Sequence, residues 1–81
     1  MVKTIHSEKQ KKFRALLRAE RKKTGMRQLE LAAKMNRYGG FVTKSETGER
    51  RVDLVEFLEF SKAIGFDPHA FIETLEEEQL P

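Results

Sequence analysis

The segment that decides the fold is residues 28–51, QLELAAKMNRYGGFVTKSETGERR. Residues at helical spacing occur on both sides of a break at residues 37–40. The first set is Leu29, Leu31, Ala32 and Met35, and the second is Phe41, Val42 and Ser45. Helices this short are marginal alone and need a further surface to pack against. The segment therefore predicts two short helices joined by a tight turn within a larger helical domain.

The flanking segments predict three more helices. The five predicted helices span residues 7–24, 27–36, 39–47, 53–64 and 68–78. Ser7 with Gln10 forms a capping box at the start of the first helix, and Asp53 with Glu56 forms another at the start of the fourth. Pro68 suits the first position of the fifth helix. Because no strand pattern competes with these helices, we expect an all-α fold in a single domain.

The composition limits the classes of protein to consider. The 81 residues suffice for one modest core, and the absence of cysteine excludes disulfides and thiolate metal sites. The two histidines, His6 and His69, lack a clear set of carboxylate partners for zinc. The apolar runs are too short for a membrane span or a signal peptide. We expect a cytoplasmic protein without metal, cofactor or membrane association, with a disordered arm at residues 1–6 and a frayed tail at residues 79–81.

Charge is divided unevenly along the chain. Residues 1–52 contain 15 Lys and Arg against 5 Asp and Glu, a net charge of +10, whereas residues 53–81 contain 1 Lys against 8 acids, a net charge of −7. A positive half attracts polyanions. A helix-turn-helix with positive flanks is typical of proteins that place a helix in the major groove of DNA, which makes double-stranded DNA the first candidate partner. The alternative is that both halves are ordinary solvated helix faces.

Four fixed spacings support a more specific interpretation. The pattern Q-x-x-L-A-x-x-M begins at Gln28, K-x-E-x-G-E-R-R at Lys44, D-x-x-E-F-L at Asp53 and A-x-G-x-D-P at Ala63. Together they resemble the helix-turn-helix domain of the Xre/Cro, or lambda-repressor-like, family, over residues 13–71. The resemblance implies a five-helix lambda-repressor-like DNA-binding domain, with its helix-turn-helix at residues 28–47.

The resemblance also implies roles for individual residues. The positions that it places at DNA are Arg27, Gln28, Arg37, Tyr38, Gly39, Gly40, Phe41, Thr43, Lys44, Arg50 and Arg51. Gln28, at a helix N-terminus, is expected to bind a phosphate, as are Arg50 and Arg51. Arg21 and Glu46 match positions that form an ion pair between the first and third helices in many family members, and the pair is expected to specify packing.

The sequence departs from the family where the third helix begins. Related proteins carry Gln, Ser, Arg or Asn there to bind base edges, whereas this chain has Gly39 and Gly40. Lys44, one turn further, remains a candidate to contact guanine. In one hypothesis, Tyr38 and Phe41 approach thymine methyl groups and specificity comes from DNA shape and Lys44. In the other, strong operator choice has been lost and the surface binds another partner.

The C-terminal half is rich in apolar residues. An aromatic cluster of Phe57, Phe60, Phe66 and Phe71 is expected to supply both core and dimer surface. The predicted dimer interface comprises Phe66, Phe71, Leu75 and Leu80. No nucleophile or phosphate loop accompanies the carboxylates, so we expect no catalytic site and no enzyme.

These observations predict a DNA-binding transcriptional regulator, sequence-specific or weakly specific, acting as a repressor. We expect a homodimer on a palindromic or pseudo-palindromic site, since doubling the contact area is the usual route to useful affinity. The alternative is an antitoxin-like or antirepressor-like module that uses the same fold to bind a protein partner and has weak DNA affinity.

Overall fold

A computed structural model describes residues 7–77, which form five α-helices. They are α1 (Glu8–Lys23), α2 (Gln28–Lys34), α3 (Phe41–Thr47), α4 (Leu54–Ile64) and α5 (Pro68–Glu76). The predicted all-α fold class with five helices is confirmed. No helix between residues 7 and 77 is long and apolar enough to cross a membrane. The predictions made for the arm at 1–6, the tail at 79–81, Leu80 and the end of the fifth helix at residue 78 lie outside the described residues.

Side chains at the helix starts explain where three of the helices begin. Ser7 Oγ accepts a hydrogen bond from the amide of Gln10 at 3.1 Å at the start of α1. Asp53 accepts from the amide of Glu56 at 2.8 Å, while Glu56 accepts from the amide of Asp53 at 3.2 Å, which completes a capping box. Pro68 occupies the first turn of α5. These contacts satisfy amides that have no partner within their own helix.

The two central helices are shorter than the sequence predicted. Helix α3 begins at Phe41 instead of residue 39, and Gly40 lies at its N-cap with φ −86° and ψ 1°. Neither Gly39 nor Gly40 can offer a capping side chain, and glycine has low helix propensity, so the turn extends through both. Helix α2 ends at Lys34 and not at residue 36, because Asn36 has a left-handed φ of 62°.

All five helices contribute to one hydrophobic core. Its buried members are Leu17, Leu31, Ala32, Phe41, Val42, Phe57, Phe60, Ile64 and Phe71. The ring of Phe41 stacks on that of Phe60, with centroids 5.6 Å apart and planes 13° apart. Because Phe41 belongs to α3 and Phe60 to α4, this stack anchors the second helix of the helix-turn-helix to the C-terminal half.

Phe71 belongs to this core, so its predicted place in the dimer interface is wrong. The side chain is only 4% exposed, and its ring lies 5.0 Å from the rings of both Phe57 and Phe66. Phe66 is partly buried against the same core, and Leu75 is half-buried. The aromatic residues of the C-terminal half therefore close the core of one molecule and leave little aromatic surface for a second.

Helix α1 holds the far end of α5 through two lysines. Lys9 Nζ donates to the carbonyl of Leu75 at 3.2 Å, and Lys12 Nζ donates to the carbonyl of Glu77 at 2.6 Å. The last carbonyls of a helix carry partial negative charge, which favours ammonium groups beside them. These contacts use two of the many cations of α1 for packing.

We predict that Phe71→Ala lowers the free energy of unfolding by about 3–5 kcal/mol, the cost typical of truncating a buried aromatic ring. Chemical denaturation measures this. The neighbouring Ile72→Ala is the matched control, since Ile72 is 38% exposed, and it should cost about 1 kcal/mol or less. Equal costs for the two substitutions would mean that Phe71 is not part of the core.

Candidate nucleic-acid interface

A buried ion pair between Arg21 and Glu46 joins α1 to α3. Arg21 Nε donates to Glu46 Oε2 at 2.7 Å and Nη2 donates to Oε1 at 3.0 Å, which makes the pair bidentate. The two side chains are 8% and 4% exposed. Arg21 Nη1 also donates to the carbonyl of Met26 at 2.8 Å, just before α2 begins. One guanidinium therefore fixes the entrance to α2 and the last turn of α3 together.

Gln28 and Thr43 extend this contact into a polar network. Gln28 Nε2 donates to Glu46 Oε1 at 2.9 Å, and Gln28 Oε1 accepts from Thr43 Oγ1 at 3.0 Å. We call Arg21, Glu46, Gln28 and Thr43 the α1–α3 network. Because the side-chain amide of Gln28 has two N–H groups, one remains for the expected phosphate contact. The network fixes the orientation of α3 relative to α2.

Phe41 cannot take the DNA contact that the sequence predicted for it. Its side chain is 1% exposed and stacks on Phe60 in the core. The aromatic residue on the surface is Tyr38, which is 56% exposed and packs edge-on against Phe41 with ring centroids 5.9 Å apart. The hypothesis of contacts to thymine methyl groups therefore applies to Tyr38 alone.

Two of the arginines expected at phosphates are engaged within the molecule. The Cζ atoms of Arg37 and Arg50 lie 4.7 Å and 4.5 Å from the centroid of the Phe41 ring. Arg37 Nη2 is 2.6 Å from Glu59 Oε1, and Arg50 Nη2 is 2.8 Å from Glu56 Oε2. Phosphate binding by either arginine would require it to exchange a carboxylate for the phosphate.

The contact between Arg50 and Glu56 also affects their ionisation. The hydrogen bond from Arg50 holds the pKa of Glu56 below its ordinary value, with further lowering from the amide of Asp53 and the charge of Arg37. The same hydrogen bond raises the pKa of Arg50. Glu56 therefore stays ionised near neutral pH as the carboxylate between two guanidinium groups.

An exposed surface remains around the start of α3. We call Tyr38, Gly39, Gly40, Thr43 and Lys44 the reading face. Lys44 is exposed, and its Nζ lies 5.9 Å from the centroid of the Tyr38 ring. Thr43 is half-buried through its bond to Gln28, and Gly39 is exposed. The reading face therefore offers one flexible cation beside one exposed aromatic ring.

Leu29 adjoins this face, although the sequence placed it on the buried side of α2. It is 68% exposed, whereas Leu31 is fully buried. Two residues along a helix correspond to about 200° of rotation, so Leu29 and Leu31 point to opposite sides, and this spacing could have revealed the error. A Cβ at residue 39 would lie 3.2 Å from Leu29 Cδ2, which explains a glycine at that position.

The remaining predicted DNA-binding residues, Arg27 and Arg51, are exposed at the start of α2 and after α3. In the described part of the chain, no three His, Asp or Glu side chains converge in a way that could hold a metal ion. The chemistry available at this surface is thus that of cations, amides, hydroxyls and one aromatic ring.

Comparison with known proteins gives one informative match. No protein-family model matches the chain, and no curated protein matches it significantly. A solved structure described as an XRE-family like protein from Pseudomonas syringae pv. tomato is similar to it, with 42% sequence identity and a TM-score of 0.83. The match covers 90% of this chain and 89% of that one.

We predict that Glu46→Gln lowers the free energy of unfolding by about 3 kcal/mol, because it leaves the buried charge of Arg21 without a counter-charge. Chemical denaturation followed by circular dichroism measures the loss. Glu59→Gln is the control, since it also removes a carboxylate from an arginine but at a side chain that is 44% exposed, and it should cost about 1 kcal/mol or less. A loss no larger for Glu46→Gln than for the control would contradict the role given to the buried pair.

Proposed function

The chain belongs to the Xre family of helix-turn-helix proteins, and from this premise we propose that it is a DNA-binding transcriptional repressor that acts in the cytoplasm as a homodimer. The reading face is the observation that supports DNA binding most directly. It exposes Lys44 and Tyr38 on a helix that the buried α1–α3 network holds in place. It also lies in the half of the chain with a net charge of +10. Such a surface fits the major groove of duplex DNA.

The proposed contacts divide between bases and phosphates. Lys44 donates to guanine O6 or N7, and the exposed ring of Tyr38 packs on thymine methyl groups or sugars. Arg27, Arg51 and the amides at the start of α2 bind phosphates, which fixes the position of the protein without specifying sequence. Arg37 and Arg50 contribute less, since each would first have to leave a carboxylate.

An apolar ridge on α4 and α5 supports the homodimer. Leu54, Val55, Leu58 and Ile72 are 68%, 65%, 47% and 38% exposed. Beside them, an apolar groove is lined by Phe13, Val52, Phe57 and Leu75, among others. Contiguous exposed apolar surface of this kind marks protein interfaces. We propose that a second copy of the chain covers this ridge, which moves the interface from Phe71 to its exposed neighbours.

The same ridge also favours a second candidate function. A different protein could cover it, as expected for an antitoxin-like or antirepressor-like module with weak DNA affinity. The two functions differ in what happens to the isolated chain: a homodimer forms by itself, whereas a module that binds another protein needs that protein to cover its ridge.

We predict that the protein selects a motif from random duplex DNA and that Lys44→Ala removes most of this preference, because Lys44 supplies the main donor to base edges. Sequencing of the selected duplexes measures it. Lys62→Ala, at an exposed lysine of α4, is the control and should keep the motif. A motif that survives Lys44→Ala would contradict direct readout by α3, and wild-type protein that shows no salt-dependent duplex binding would contradict the proposed function itself.

We predict that Val55→Glu converts the dimer into helical monomers, because it places a charge in the apolar interface at a position that tolerates polarity in the monomer. Sedimentation equilibrium without DNA gives the mass, and circular dichroism gives the helix content. Leu29→Glu, at an equally exposed leucine of the helix-turn-helix, should leave the dimer intact. A dimer that persists in Val55→Glu would place the interface elsewhere, and monomeric wild-type protein would favour the second function.

A further inference from the structure

Helix α1 carries a row of cations along one exposed side. Lys11, Arg14, Arg18 and Lys22 follow one another at intervals of three or four residues, which places them on one helix face. They line a shallow groove between α1 and the end of α3, to which Glu46 and Thr47 contribute from α3. We call these four residues the α1 stripe. No role in the fold or in the reading face accounts for it.

The other cations of α1 have defined structural roles. Arg21 belongs to the α1–α3 network, Lys9 and Lys12 bind carbonyls at the end of α5, and Lys23 lies 3.3 Å from Glu20. Helix α1 thus separates its cations by face, and the face that is not used for packing is the stripe.

Charge within the stripe is little compensated. Across residues 7–77, no carboxylate lies within ion-pair distance of Arg18 or Lys22, both of which are exposed. The nearby carboxylate of Glu46 is committed to Arg21 and Gln28. Like charges in a row repel each other, so the arrangement favours an external anion along the groove.

The length of the stripe indicates what kind of anion fits. Eleven residues separate Lys11 from Lys22, which corresponds to about 16 Å along a helix. Duplex DNA carries about 10 phosphate charges over that distance. Ala15 and Ala19 line the groove between the cations and keep its floor low enough for a broad partner. The stripe therefore fits an extended polyanion better than a single small anion.

The stripe also meets the end of α3. A Cβ at Gly48, which follows α3, would lie 3.0 Å from Cζ of Arg14, so this guanidinium covers the glycine. Thr47 lines the same groove. A phosphate backbone that borders a major groove occupied by α3 would therefore pass close to the stripe.

We infer that the α1 stripe is a second phosphate-binding surface, which contacts the backbone of the same duplex that receives the reading face in its major groove. This inference rests on the proposed function and adds to it, because the helix-turn-helix contacts do not include α1. The stripe contributes affinity and salt dependence, and it leaves base preference to Lys44 and Tyr38.

The test uses the whole chain and two charge-matched variants. Arg18→Gln with Lys22→Gln removes two charges from the stripe. Lys34→Gln with Lys62→Gln removes two charges from a separate groove that these lysines line together. All four residues are exposed and glutamine is a good helix former, so circular dichroism should show both variants folded. The probe is a duplex that contains the selected motif, and affinity is measured across a series of salt concentrations.

We expect the stripe variant to lower the slope of log affinity against log salt by about 2 units per protomer. Affinity at 0.1 M salt should then fall on the order of 60-fold per protomer, with wild-type and variant converging near 1 M salt. Hydroxyl-radical cleavage should show one stretch of backbone protection lost while the motif stays protected. The variant with Lys34 and Lys62 replaced should keep the wild-type slope.

Three results would overturn the inference. Equal changes of slope in the two variants would show an effect of net charge alone, with the proposed function intact. Dissociation of DNA-free dimers by the stripe substitutions would assign the stripe to the acidic half of a second copy. Wild-type protein without salt-dependent duplex binding would overturn both the inference and the proposed function.

Discussion

The buried ion pair between Arg21 and Glu46 is the interaction on which the reading face depends. Removing two charges from water costs several kcal/mol per ion, and the bidentate geometry with the Met26 carbonyl and the Gln28 amide offsets that cost. The pair therefore adds little net stability, but it strongly disfavours any arrangement in which either charge is buried without the other. Since Glu46 lies on α3 and Arg21 on α1, the orientation of α3 is the property that it specifies.

The uneven charge of the chain also has a structural role. Carboxylates of α4 hold Arg37 and Arg50 against the ring of Phe41, so part of the acidic half supports the base of α3 from within. The cations that remain exposed lie on the reading face, at Arg27 and Arg51, and along the α1 stripe. The fold thus divides its basic residues into those that position α3 and those that face solvent.

The sequence predicts the fold well because caps and family spacings act over a few residues. The predictions of individual contacts were less accurate, because helical periodicity does not say which of two overlapping faces is buried. Leu29 was assigned to the core although it points away from Leu31, and Phe41 and Phe71 were assigned to surfaces although core rings surround them. The double glycine shifted the start of α3, since local capping chemistry and not periodicity determines where that helix begins.

The measurement that tests the central claim most directly is a titration of isotope-labelled protein with its selected duplex, followed by amide chemical shifts in NMR. If α3 enters the major groove, the largest changes occur from Tyr38 to Thr47 and at Gln28, while amides near the exposed Val55 change little. Changes confined to the ridge of α4 and α5, with the amides of α3 unaffected, would contradict the account.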